Sequence, residues 1–267
     1  MRFRFFPRAA LGVLPLIAAG VLRAATDPLL PAWEETSRNL FQEAHARFAD
    51  EEGREARLGE AATLLQLQPR TERNLRGAVA LLSALVDEST DDDAGLTALY
   101  LLGRIEHAHR AVPDLEAAAR HYRRLLTHRP DHPLAGQAAV KLAILELYRP
   151  RPAEERLELV STFDALTRDL PDAAARRDLH LVLGEAVLRF ELEPTLALDQ
   201  FVAALEDGIV MPLLRADILV RVGELAREAG RVELARRSYR TFLADFPRAP
   251  RRLMIREALD ALTDGSA

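Results

Sequence analysis

The chain has 267 residues and a formal net charge of -5, and its 45 Ala, 47 Leu and 35 Arg residues make up close to half of it. These three types are good helix formers, and no stretch alternates apolar and polar residues long enough for a strand, which argues against an all-β or a doubly wound α/β fold. The acidic charge argues against nucleic-acid binding, and the absence of cysteine excludes disulfides, thiolate nucleophiles and iron–sulfur clusters.

The N-terminus has the layout of a signal peptide. Arg2, Arg4 and Arg8 form a basic start, and residues 9–22 are an apolar run that small residues follow. The run is shorter than the roughly 20 residues that span a membrane, so no stable membrane span is expected in the mature chain. We predict a signal peptide over residues 1–25 and export to the periplasm or the extracellular space. An uncleaved N-terminal membrane anchor and a buried helix are the alternatives.

Helix signals and turn signals alternate along the remainder, residues 26–267. A first helix is predicted over residues 32–50, and turns that contain proline, glycine or aspartate then separate five pairs of amphipathic helices. The predicted pairs span residues about 51–90, 94–130, 133–171, 173–208 and 213–247, and a last helix follows over 250–262. The repeated pattern predicts one all-α domain of about 12 helices.

The last pair has the most regular pattern of residue sizes. In residues 216–249, Gly223 and Ala235 are small where two helices must approach closely, and larger residues are spaced to fill the groove around them. Pro247 ends the second helix, because proline cannot continue one. The other positions of this pattern are Leu219, Val222, Ala226, Tyr239 and Phe242.

This segment resembles a tetratricopeptide repeat (TPR), a helix–turn–helix of about 34 residues, and it matches the family at all eight preferred positions. Weaker copies precede it, and their small first-helix residues are Gly59, Gly103, Ala143 and Gly184. These anchors and Gly223 are 39 to 44 residues apart, which predicts longer helices or loops than the family has. The resemblance implies a right-handed superhelical solenoid of about five TPR-like hairpins plus terminal capping helices.

The last helix is predicted to cap this solenoid, since a terminal helix needs a polar outer face. Its polar positions are Arg251, Arg252, Arg256, Glu257 and Asp260, and its apolar positions are Leu253, Ile255, Leu259 and Leu262.

No signature of a catalytic site is present in the sequence. The only lysine, Lys141, lies within a predicted helix, away from any glycine-rich phosphate loop, and the nucleophile-elbow and HExxH patterns are absent. Five histidines fall within residues 107–132, which we interpret as solvated helix-end residues because a zinc site needs several nitrogens at about 2.1 Å from one ion. We predict no enzyme activity, no cofactor and no metal site.

The resemblance also implies a binding surface, because TPR-like solenoids offer a concave groove, lined by the first helix of each pair, to peptides or partner domains. We expect the side chains three before, one after and four after each small anchor to line this groove. They are Tyr100, Arg104, His107, Val140, Ile144, Leu147, Leu181, Glu185, Leu188, Val220, Glu224 and Arg227. The middle of this set is apolar and its ends are charged, which suits a peptide with a hydrophobic centre.

The predicted function is therefore an exported protein–protein interaction scaffold that binds a peptide or partner protein, and the resemblance suggests a role in envelope assembly. Two alternatives are a structural subunit of an envelope complex held by stacking and the helical platform of an enzyme. For the groove itself, two other possibilities stay open. A long connection or the first helix could cover its apolar middle, or the partner could bind another face.

Overall fold

The computed structural model describes residues 27–264, and all regular structure in that range is helical. It contains thirteen α-helices and one π-helix and falls into two compact units, the first ending at His121 and the second beginning at Tyr122. Helix α6 (Leu115–His128) runs across this boundary. The predicted signal peptide lies outside the described residues.

The helices of the first unit are α1 (Leu30–Ser37), α2 (Phe41–Ala49), α3 (Arg54–Leu64), α4 (Glu72–Glu88), α5 (Asp93–Arg104) and the π-helix Ile105–His109. Those of the second unit after α6 are α7 (Pro133–Leu147), α8 (Ala153–Thr167), α9 (Ala173–Arg189), α10 (Pro194–Asp207), α11 (Pro212–Glu228), α12 (Val232–Asp245) and α13 (Arg252–Asp264). The predicted all-α class is confirmed. Within each unit, successive helices pack on one another as in an α-solenoid.

The single helix expected over residues 32–50 is wrong, because this segment forms the two helices α1 and α2. Asn39 has a φ of 62° and separates them. Asparagine is one of the few residues that adopt this left-handed conformation at low cost. Buried apolar side chains continue across the break, with Ala32 before it and Phe48 after it, and for this reason the sequence pattern resembled one helix.

Several helix starts and turns use the residue types that their geometry requires. The side chains of Thr71, Asp92 and Asp172 accept hydrogen bonds from backbone amides two or three residues further on, at 2.8 to 3.3 Å. These bonds satisfy amides that the first turn of a helix leaves unpaired. Gly230 has a φ of 71° in the turn between α11 and α12, a conformation that glycine adopts without steric cost.

Glycine against an aromatic ring sets the closest helix approach in two hairpins of the second unit. A Cβ added at Gly184 in α9 would lie 2.6 Å from Cε1 of Phe201 in α10, closer than carbon atoms can pack. A Cβ at Gly223 in α11 would overlap the ring of Tyr239 in α12. Both rings are almost fully buried, so the space that each glycine leaves is filled by the ring of its partner helix.

The terminal helix α13 packs through fewer apolar residues than the sequence pattern predicted. Ile255 is 1% exposed, and Leu259 and Leu262 are half-buried, as expected for the inner face of a cap. Leu253 was placed on the same face but is 69% exposed. Residues 252, 255, 259 and 262 follow the helical period, whereas residue 253 lies about 100° away from residue 252, outside the contact with α12.

Candidate functional site

The twelve predicted groove residues fall in both units, and three of them have no accessible side chain. Tyr100, Leu147 and Val220 are 4%, 0% and 3% exposed, so they belong to the core and do not line a surface. Tyr100 and Val220 lie three positions before the anchors Gly103 and Gly223, and Leu147 lies four positions after Ala143. Neighbouring helices cover the side chain at these positions.

Nine predicted residues have accessible side chains. Glu224 and Arg227 are exposed, and the others are half-buried: Arg104, His107, Val140, Ile144, Leu181, Glu185 and Leu188. Arg104 and His107 lie in the first unit and the remaining seven in the second. Whether these residues bind a partner remains a prediction.

Within the second unit, the accessible residues lie on first helices that contact one another. Helices α7 and α9 approach closely because Gly136 has no side chain, and a Cβ there would overlap that of Ala175. Helices α9 and α11 are joined by an ion pair between Glu185 and Arg221, whose side chains are 40% and 37% exposed. We call this surface the first-helix face. It comprises Ile144, Tyr148, Leu181, Glu185, Leu188, Arg189, Arg221 and Glu224.

Tyr148 is a member of the first-helix face that the sequence analysis missed. It directly follows α7, is 45% exposed, and makes an edge contact with Phe190, the two ring centroids being 5.4 Å apart. Its signal was available, because Tyr148 lies four residues after Ile144 and therefore on the same side of the helix. Burial of part of the ring raises the pKa of the Tyr148 phenol, as does nearby Glu185, so the phenol is neutral at physiological pH and can donate a hydrogen bond.

A buried arginine holds the end of α7 against α9. The guanidinium of Arg156 donates to the backbone oxygens of Leu147 and Arg149, both at 3.0 Å, and its carbon Cζ lies 3.6 Å from the centroid of the Phe190 ring. These bonds satisfy carbonyl groups that the end of a helix leaves unpaired. Arg156 therefore fixes the position of Phe190 and, through it, that of Tyr148. No sequence motif marked this role.

A polar network also joins the helices below this face. Gln200 in α10 donates from Nε2 to Asp164 at 2.5 Å, so its Oε1 is an acceptor and the donor facing it at 2.7 Å is Nδ1 of His180. Both His180 and Gln200 are buried. Arg176 forms an ion pair with Asp207 at 2.6 Å, between the start of α9 and the end of α10. Networks of this kind fix one arrangement of helices, because an unpaired buried polar group is costly.

The predicted residues of the first unit lie at an irregular helix end. Arg104 ends α5 and His107 lies in the π-helix, a rare element that often occurs near functional sites. Burial lowers the pKa of His109 in the same π-helix, and the positive charges of Arg104 and Arg70 lower it further. His109 therefore favours its neutral form. Among residues 27–264, no group of three His, Cys, Asp or Glu side chains is placed to hold a metal ion.

The described helices do not include the possible N-terminal anchor, which lies outside the described residues. None of the helices in residues 27–264 is both long and apolar enough to cross a bilayer.

Comparisons with known proteins find a likeness among solved structures. No family model and no curated protein matches the chain. Among solved structures, the chain is similar to the crystal structure of TTC0263, a thermophilic TPR protein of Thermus thermophilus. The alignment covers 79% of this chain and 99% of that chain, with 17% identity and a TM-score of 0.40. The helix contacts and the first-helix face described above are independent of this likeness.

Proposed function

We propose that the chain is a protein–protein interaction scaffold that binds a peptide or a partner protein on the first-helix face. One observation carries the proposal. Ile144, Leu181 and Leu188 are aliphatic residues on α7 and α9 that are half-buried, so each leaves part of its side chain accessible on the first-helix face. Apolar side chains on a helical surface can receive the apolar face of an amphipathic partner helix.

Polar groups around these aliphatic residues would orient the partner. Tyr148 offers a neutral phenol at one end, and the Glu185–Arg221 pair lies beside the aliphatic residues. An apolar centre with a polar rim suits an amphipathic helix or an extended segment that inserts two or three aliphatic side chains. Because α7 and α9 are fixed by Gly136, Arg156 and the His180 network, we expect little rearrangement on binding.

The test replaces apolar residues on the face and on the opposite helices in parallel. Ile144→Asp with Leu188→Asp places two carboxylates on the face, and we expect it to abolish partner capture in affinity purification from the native envelope. The matched control is Leu157→Asp with Leu196→Asp, on α8 and α10, where the two leucines are 38% and 36% exposed. The control should retain capture.

Helical content and melting of both double variants decide how the result is interpreted. If the variant on the face unfolds, its residues belong to the core and the assignment is wrong. If it folds and still captures the same partner, the partner binds another surface.

Export is a separate part of the proposal and is supported by the basic and apolar N-terminal sequence. N-terminal sequencing of the mature protein should begin near Ala25 or Thr26. Intact Met1 in a cytosolic fraction would contradict export. An envelope role follows only if export and partner capture both hold, and it includes assembly of the outer membrane or cell wall as the resemblance to TPR proteins suggests.

A structural subunit held by stacking is the second candidate, and one observation favours it. The terminal helix α13 exposes Leu253 and Met254, at 69% and 48%, where a further helix of a stacked partner could pack. Size-exclusion chromatography with light scattering distinguishes the two candidates. A monomer over a wide concentration range supports the scaffold, and concentration-dependent oligomers that Leu253→Ser abolishes support stacking.

A further inference from the structure

The start of α11 and the start of α13 carry a cluster of exposed aliphatic residues. Val210, Met211 and Leu213 are 80%, 58% and 83% exposed, and Leu253 and Met254 are 69% and 48% exposed. We call these five residues the C-terminal tip. Side chains this exposed are not enclosed by their neighbours, so the tip does not form a closed groove.

Two ion pairs place both segments at the same end of the last hairpin. Arg215, in the first turn of α11, bonds Asp245 at the end of α12 at 3.0 Å. Asp217 in α11 bonds Arg251, the residue before α13. Leu213 precedes Asp217 by one helical turn, and Leu253 follows Arg251 by two residues, so the two aliphatic groups flank this second ion pair.

The two segments that carry the tip have more basic than acidic residues. Segments 208–217 and 245–256 contain five arginines and two aspartates. Both aspartates are already bonded to Arg215 and Arg251. The charges of the other arginines, Arg248, Arg252 and Arg256, are therefore not balanced within these segments, although the whole chain is acidic.

The excess positive charge of these segments decides which occupants of the exposed apolar tip are favoured. A second copy docking tip to tip would bring the same arginines together, and like charges oppose such contact, which leaves only stacking of the tip on a different surface of another copy. The N-terminal segment of this chain, residues 1–26, contains four arginines and no acid, so it is repelled as well. An occupant with a negatively charged surface and an apolar interior matches both the arginines and the exposed aliphatic side chains of the tip.

We propose that the C-terminal tip docks peripherally on an anionic lipid bilayer. Val210, Met211, Leu213, Leu253 and Met254 would enter the boundary between headgroups and acyl chains, as aliphatic residues do in interfacial helices. Arg248 and Arg256, both exposed, would contact lipid phosphates, for which planar guanidinium groups are well suited. Docking of this kind needs no membrane-spanning helix and leaves the first-helix face for a protein partner.

The experiment uses the full chain, in which the absence of cysteine makes single-site labelling possible. Leu253→Cys is labelled with an environment-sensitive fluorophore, and Leu157→Cys on α8 is labelled in the same way as the control. Each protein is titrated with vesicles of phosphatidylglycerol mixed with phosphatidylcholine, and with vesicles of phosphatidylcholine alone. We expect a blue shift at position 253 with the anionic vesicles only, and none at position 157.

A charge variant measures the role of the arginines. Arg248→Gln with Arg256→Gln, in the labelled Leu253→Cys chain, should weaken apparent binding to the anionic vesicles by about 30-fold, because each arginine near an anionic surface contributes about 1 kcal/mol. Added salt should weaken binding in the same direction. Both positions are exposed, and an unchanged melting curve confirms that the variant folds.

Three results would overturn the proposal. The first is no blue shift at position 253 with anionic vesicles, and the second is an equal shift at position 157, which indicates binding through another part of the chain. The third is a blue shift that depends on protein concentration and occurs without lipid, which would identify a second copy as the occupant.

Discussion

Two hairpins that the repeat pattern treats as equivalent are held together in different ways. In the last hairpin, Gly223 of α11 faces Tyr239 of α12, the following helix. In the first, Gly59 of α3 faces Phe48, which lies in α2, the preceding helix. Both hairpins therefore have a small residue at a helix crossing. The ring that fills the space belongs to the following helix in the last hairpin and to the preceding helix in the first.

The α3–α4 pair packs through buried apolar residues such as Leu82 and Leu85, and it also carries ion pairs at one end. Arg54 at the start of α3 bonds Glu88 at 2.8 Å and Asp92 at 2.6 Å, and Arg57 bonds Glu88 at 2.5 Å. These side chains are partly exposed, so each pair contributes little alone and is screened by salt. The comparison indicates that both hairpins combine a glycine–ring contact with ion pairs at a helix end, and that they differ in whether the ring comes from the following or the preceding helix.

The largest effect is expected at Gly223. Gly223→Leu would force a side chain into the space that the Tyr239 ring occupies, and we expect it to destabilise the second unit by about 3 kcal/mol or more. Gly77→Ala in α4 is the control, since its Cβ would meet only the flexible end of Leu64, at 3.2 Å. The control should be neutral or stabilising by up to about 1 kcal/mol. Equal melting of Gly223→Leu and the wild type would contradict the contact.

A double-mutant cycle at Gly59 tests the direction of packing in the first hairpin. Gly59→Ala should cost about 1–3 kcal/mol, because its Cβ overlaps the Phe48 ring. The same change should cost less in a Phe48→Leu background, where the ring is absent, and chemical denaturation of the four proteins measures this coupling. A cycle with Leu82→Ala in α4 is the matched comparison and should show little coupling. Coupling to Leu82 alone would show that α4 fills the space.

Gln200→Leu is expected to show that buried polar contacts stabilise the second unit more than surface ion pairs stabilise the first. The change removes both hydrogen bonds of Gln200 and leaves Nδ1 of buried His180 without its acceptor, which should cost about 1–3 kcal/mol. Arg57→Gln, which removes a surface pair, should cost less than about 1 kcal/mol. The reverse order of the two losses, measured by urea unfolding, would refute this part of the comparison.

The smallest effect concerns acid stability of the first hairpin. Hydrogen bonds from Arg57, and then from Arg54, lower the pKa of Glu88 from 4.5 to about 2. The folded state therefore favours the ionised carboxylate, and this stabilisation is complete above pH 4.5 and is lost as the pH falls toward 2. Glu88→Gln should flatten the dependence of melting temperature on pH in this window, with no change in its slope above about pH 6. An unaltered acid slope would mean that the pairs do not form in solution.

The sequence predicted contacts within one hairpin better than contacts between hairpins. The pattern at residues 216–249 identified both Gly223 and Tyr239, because their spacing depends only on helix geometry and one short turn. The contact of Gly59 with Phe48 was missed, since the first-repeat pattern assigned the partner of Gly59 to α4. Residues that a neighbouring helix covers, such as Val220, were placed on the surface for the same reason.

The sequence predicted most of the accessible apolar residues of the first-helix face but missed Tyr148 and the role of Arg156. Ile144, Leu181, Glu185 and Leu188 are accessible, as the spacing predicted. Tyr148 was missed because the groove rule used only the positions three before, one after and four after each anchor, and Tyr148 lies five after Ala143. The role of Arg156 depends on where carbonyl groups and a ring from other segments meet, and a single sequence contains no signal for such a site.

Site-specific photo-crosslinking in cells that express the full chain tests the central claim most directly. A photoreactive residue at Leu181, on the first-helix face, is compared with one at Leu157 on α8. We predict that Leu181 forms a crosslink to one protein partner, that Leu157 forms none, and that Ile144→Asp with Leu188→Asp removes the Leu181 crosslink. A crosslink to the same partner from Leu157 and not from Leu181 would contradict the claim that the first-helix face is the binding surface.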